Sequence, residues 1–109
     1  MKMPIRECIV VNGREWSFKR RMLDARRIGD IVIVLFDYGL APRNKQFKNL
    51  MAFTLAQKQL WVAEHPTEQV ADAYDEIIKE KPLTLWNFAG FKCTVDIKTG
   101  RLLKAQFTK

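Results

Sequence analysis

Histidine and serine each occur once in this 109-residue chain, at His65 and Ser17, so a Ser/His/Asp triad would have to be built on those two positions. Ser17 sits in a strand-like stretch, shares its face with Glu15 and Lys19, and lacks the flanking glycines of a nucleophile elbow, which argues against acyl transfer. The five glycines stand singly at turns and form no phosphate cradle. Cys8 and Cys93 make no CxxC and have no histidine nearby, so neither a zinc site nor a disulfide framework is indicated and both are expected to be free thiols. No apolar run approaches the roughly 18 residues of a membrane span. Met1 to Val11 is too short and too interrupted for a signal peptide. The expectation is a soluble cytoplasmic protein with no catalytic, cofactor-binding or metal-ligating residues. His65, beside Pro66, is read as a turn residue, and Asp37 as a strand-end residue paired with an arginine.

What the chain does hold is hydrophobic mass and positive charge. Hydrophobic residues make up 48%, enough for one core, and residues 1–109 are expected to form a single domain. The net charge of +7 is uneven: residues 61–82 carry six acidic and two basic side chains, an acidic island in an otherwise basic protein.

Residues 5–11, Asn12-Gly13 and residues 14–22 read as a hairpin on a type I′ turn, with Ile9, Val11, Trp16 and Phe18 on one surface. Asp24 to Gly29 reads as a charged connection. Ile31 to Phe36 is apolar in succession and β-branched, which marks a central strand buried on both faces. Residues 39–47 read as a long loop. Residues 49–55 and 59–64 make a second hairpin. Phe91, Cys93, Val95 and Ile97 alternate with Lys92, Thr94 and Asp96, and Lys98-Thr99-Gly100 turns the chain into a last strand.

One stretch reads as a helix. Val70, Ala73, Tyr74, Ile77 and Ile78 fall at i, i+3, i+4, i+7 and i+8, Thr67 stands where an N-cap belongs, and Pro82 cannot continue the helix. The fold expected is therefore α+β: an antiparallel, strongly twisted sheet of seven to eight short strands in hairpin or meander order, packed by one amphipathic helix over residues 67–80.

The hairpins NLMAFTLAQKQLWVAE and CTVDIKTGRLLKAQF resemble the strand pairs of quinoprotein-type β-propeller blades, each an apolar strand, a polar turn and a second apolar strand. The resemblance implies no function here, because a chain of this length cannot close a propeller of four or more blades.

Basic side chains supply the candidate binding residues. Lys19, Arg21, Arg26 and Arg27 lie in the first third, Arg43 and Lys45 in the long loop, and Lys92 and Lys104 in the last hairpin, where alternation turns them outward with an aromatic such as Trp86 or Phe88 nearby. The leading expectation is a non-catalytic interaction domain that binds another protein, in the manner of an immunity- or antitoxin-type inhibitor, or binds itself as a homodimer. The alternative is a nucleic-acid binder working through a basic sheet face. A continuous basic stripe with exposed aromatics favours nucleic acid, and an exposed apolar patch rimmed by charge favours protein.

Overall fold

A computed structural model describes residues 6–37, 46–70 and 72–108, and among them there are nine strands and no helix. Strands β1 (Arg6–Val11), β2 (Arg14–Ile28), β3 (Ile31–Phe36), β4 (Leu50–Thr54) and β5 (Gln59–Val62) form a five-stranded sheet in that order. A second sheet of four follows: β6 (Tyr74–Glu80), β7 (Leu83–Asn87), β8 (Phe91–Val95) and β9 (Leu102–Phe107). All pairings are antiparallel. The protein is all-β, and the α+β expectation is overturned.

The first hairpin follows from two residues. Asn12 and Gly13 take φ of 50° and 76°, both left-handed as a type I′ turn needs, and the register sets Val11 opposite Arg14 and Ile9 opposite Trp16. Asp24 to Gly29 is not a connection. β2 runs on for 15 residues, and Asp24–Ile28 pair with Ile31–Leu35. Arg26 and Asp24 sit 3.1 Å apart, so the charges that make this stretch read as a loop neutralise each other within a strand. Register shifts at Arg6/Cys8 and Met22/Asp24 bend the ribbon. Its first half, with β1, packs across one face of β3.

That bend explains how β3 is buried on both faces. Ile33 and Leu35 point into a cluster shared with Leu50, Ala52 and Trp61 of their own sheet and with Tyr74, Ile77, Leu85, Cys93 and Val95 of the second. Val32, Val34 and Phe36 point the other way, against Ile9, Val11, Trp16, Met22 and Phe53. Each such side chain contributes about 1.5 to 3 kcal/mol by leaving water, so β3 anchors two cores.

The stretch expected as a helix is a loop followed by β6. Tyr74 and Ile77 are buried, whereas Val70 and Ile78 are 46% and 40% exposed, which no single helical stripe allows. The register of β6 shifts between Tyr74 and Glu76 and again between Ile77 and Lys79. Each bulge adds a residue, so successive inward side chains fall three apart instead of two and imitate helical spacing. Thr67 caps no helix. Its N–H donates to Asp72 Oδ2 at 2.9 Å, and its hydroxyl donates to the same oxygen at 2.5 Å. Pro82 lies in the β6–β7 turn, after a cis peptide bond.

Side chains join the sheets where no ladder does. Phe88 N–H donates to Ala73 O, so by alternation the backbone of Tyr74 points away from β7. Asn49, fully buried, meets it: Nδ2 donates to Tyr74 O at 2.8 Å and to Phe36 O at 2.9 Å, and Oδ1 accepts from Tyr74 N–H at 3.0 Å. At the opposite end Trp61 Nε1 donates to Ile97 O at 2.9 Å. The Trp61 ring covers Gly100, where φ is +74° and a Cβ would come within 2.6 Å of the indole. Glycine is required there for both reasons.

Candidate interaction face and the buried polar cluster

Alternation in the second sheet sends Leu83, Leu85 and Cys93 inward, and leaves the opposite face to Thr84, Trp86, Lys92 and Thr94. Cross-strand register sets these residues in two rows. Lys79, Thr84, Thr94 and Lys104 are successive partners across all four strands, and Glu76, Trp86, Lys92 and Gln106 form the next row. At about 4.8 Å per strand, Lys79 and Lys104 stand roughly 14 Å apart. Between them runs a shallow groove of about 240 Å³, with Ile78 on one flank. Trp86 is 36% exposed beside it, while Trp16 and Trp61 are buried at 2% and 7%. Among the described residues no carboxylate pairs with Lys79, Lys92 or Lys104. The three ammonium groups are free to meet an anionic partner.

Three of the expected binding residues, Trp86, Lys92 and Lys104, come together here. The others do not. Arg21 is exposed on β2 in the other sheet. Arg26 is engaged internally, with Asp24 and Glu80 as ion-pair partners and Ile77 O as a hydrogen-bond acceptor. Arg27 donates to Gly29 O and to Asn12 Oδ1. The side chain of Lys19 and all of Arg43 and Lys45 lie outside the described residues. Lys79 was missed because a helix reading of residues 67–80 cannot place it on a sheet. No local signal places it there, because the two bulges of β6 erase the period-two alternation of a strand.

A second constellation lies inside. Asp72 is 1% exposed, and its carboxylate accepts from Thr67 N–H and hydroxyl, from Asn87 Nδ2 and from His65 Nδ1 at 3.1 Å. Gln46 Nε2 donates to Thr67 O and Asp72 O, and Tyr74 OH donates to Glu64 O at 2.6 Å. Both atoms that Nδ1 meets, Asp72 Oδ1 and Asp72 O, are acceptors, so Nδ1 carries a hydrogen. Burial holds its pKa below the usual 6.5 despite the neighbouring carboxylate. Its side chain is 1% exposed and Nε2 is enclosed without a partner among the described residues, so the base that a general-base mechanism would use faces no substrate. Burial pushes the Cys93 thiol up to about 11 and raises the Tyr74 hydroxyl as well, and neither is activated. The cluster fixes the loop before β6. Among the described residues no three His, Cys, Asp or Glu side chains converge as a metal site.

A family match runs over residues 6–107, from the first residue of β1 to the last of β9. The chain belongs to the family Domain of unknown function (DUF7957). The DUF7957 match thus spans the residues of this chain that form both sheets, the basic face and the polar cluster. No curated protein and no solved structure matches the chain.

Proposed function

We propose that this protein is a non-catalytic interaction domain that binds an acidic protein surface through the outer face of its second sheet. The observation that carries the reading is the composition of that face: a groove lined by Lys79, Lys92 and Lys104 with Ile78 on one flank, and the exposed Trp86 in the adjoining cross-strand row. A Trp set among unpaired charges is the form of a protein hot spot. A single strand of nucleic acid would find Trp86 and, two residues on, the 41% exposed Phe88 to stack on, but it would also set its phosphates against Glu76, the cross-strand neighbour of Trp86. An immunity- or antitoxin-type inhibitor is the special case in which the acidic partner is an enzyme. Free Cys8 and Cys93 fit a reducing, cytoplasmic setting; among the described residues no helix is long and apolar enough to cross a membrane.

Titration with a glutamate-rich peptide and, separately, with an oligothymidylate tests the reading. The peptide is expected to shift Trp86 fluorescence and the amides of β6 to β9. Replacing Lys79, Lys92 and Lys104 by Gln should abolish that binding, and Trp86→Ala should weaken it at least tenfold at unchanged charge. Tighter binding of the oligonucleotide, persisting at about 0.15 M salt with a log–log slope near −0.7 per phosphate, would move the function to nucleic acid. Loss of both ligands at that salt would leave only the attraction of a +7 protein for polyanions.

A further inference from the structure

The two edges of the second sheet are treated differently. Along β6 the first sheet supplies caps: Asn49 takes both backbone groups of Tyr74, and Arg26 Nη2 donates to Ile77 O. Two bulges break that edge further. Along β9 the one cap among the described residues is at its start, where Leu102 N–H donates to Glu64 Oε1 at 2.8 Å. Thr108 N–H donates to Gly90 O at 2.9 Å, and the β8–β9 register is unbroken from Phe91↔Phe107 to Thr94↔Lys104. Bonding direction alternates along an antiparallel ladder, so residues 104, 106 and 108 face β8, while the N–H and C=O of Ala105 and Phe107 face outward. Among the described residues no strand lies beyond them. On the inward face of the same edge, Phe107 is 58% exposed, with Phe91 against its ring at 5.3 Å.

We propose that β9 pairs antiparallel with β9 of a second copy, across a two-fold axis at Gln106, joining the two four-stranded sheets into one of eight. The occupant follows from the sequence of the edge. With Gln106 opposite Gln106 of the partner subunit, Ala105 lies opposite the partner's Phe107 and Phe107 opposite the partner's Ala105, so all four outward backbone groups are satisfied reciprocally and a large ring meets a small side chain twice. Lys104 lies opposite the partner's Thr108. The two copies of Lys104 stand about 13 Å apart, beyond the Debye length at physiological salt, so no like charges oppose each other across the seam. The register is self-complementary, as an isologous contact must be. The inference is independent of what the basic face binds. A two-fold axis normal to the sheet leaves both grooves on one side, which doubles that face.

Cysteine cross-linking in a Cys8→Ser background tests the register, because Cys8 is exposed and Cys93 buried. Directly opposed residues of a non-hydrogen-bonded pair have Cα atoms about 4.5 Å apart, within disulfide reach. Gln106→Cys is expected to form a covalent dimer on oxidation. Lys104→Cys alone should not, and a mixture of Lys104→Cys with Thr108→Cys should cross-link only between the two variants. Wild-type sedimentation should show a concentration-dependent dimer, since one strand pair is a small interface. Ala105→Pro, which removes an outward N–H, should leave a folded monomer; if it unfolds, the cross-links decide. A wild type monomeric at about millimolar concentration and a Gln106→Cys protein that stays reduced would overturn the proposal and leave the edge to a foreign strand. Self-cross-linking of Lys104→Cys would overturn the axis.

Discussion

Asn49 is the position at which one side chain stands in for a strand, and Asn49→Leu isolates what that is worth. The substitution keeps the volume close and removes every polar atom. Three hydrogen bonds of 2.8 to 3.0 Å vanish, and the N–H and C=O of Tyr74 are left facing an apolar wall. A buried backbone group without a partner costs about 1 to 3 kcal/mol, so the two together give roughly 2 to 6 kcal/mol, with the Phe36 carbonyl adding to that range. Against a typical total of about 5 to 15 kcal/mol, such a loss brings the domain near its unfolding midpoint. Urea unfolding followed by far-ultraviolet circular dichroism reads the loss as a lower midpoint at unchanged slope, and exchange of the Tyr74 amide should rise from the slowest class to the fastest. Asn49→Asp keeps the shape but sets a carboxylate against two carbonyls, and should be no milder. A loss below about 1 kcal/mol in Asn49→Leu would show that Tyr74 finds other partners and that the sheets are held by apolar packing alone.

Gly100→Ala should lower stability by about 1 to 3 kcal/mol, because the left-handed backbone and the Trp61 ring both oppose a Cβ; an unchanged near-ultraviolet signal from Trp61 with unchanged stability would refute this. Ile77→Ala should lose about 2 to 5 kcal/mol as a cavity between the sheets, whereas Ile78→Ala, on the outer face, should stay within about 0.5 kcal/mol; equal losses would contradict the bulged register of β6. Acidification should destabilise the protein through His65. The folded state holds it neutral and the unfolded chain protonates it near 6.5, so the unfolded state binds the extra proton and stability falls as pH drops below about 6.5, by at most about 1.4 kcal/mol per pH unit. His65→Gln should flatten that limb, and a limb of equal steepness in the variant would assign the acid sensitivity elsewhere.

The parts of the fold legible in the sequence are those whose chemistry is local. Asn12-Gly13 dictates its turn by φ alone, the β-branched run from Ile31 to Phe36 dictates a central strand, and the alternation about Cys93 dictates which side of β8 meets the core. The parts misread are those where a tertiary partner rewrites the local pattern. β6 imitates a helix because two bulges stretch its inward spacing, and nothing within residues 67–80 reveals the neighbouring β7 that imposes them. The second half of β2 imitates a loop because Asp24, Arg26 and Arg27 are read as solvated, whereas Arg26 is held by Asp24 and Glu80 from two different strands. The same two errors account for the site. Trp86, Lys92 and Lys104 follow from alternation alone, while Lys79 needed β6 to be a strand and Arg26 had to be recognised as already bound.

β3 is the shared wall of two rooms: Ile33 and Leu35 furnish one, Val32, Val34 and Phe36 the other. Neither room stands without it, because the β1–β2 ribbon and the second sheet have only this strand and its neighbours between them. Damage on either side is therefore felt by the same backbone, and the chain has no sound half to fall back on. A protein built this way melts as one body rather than layer by layer, with the amides of β3 opening only when everything else has.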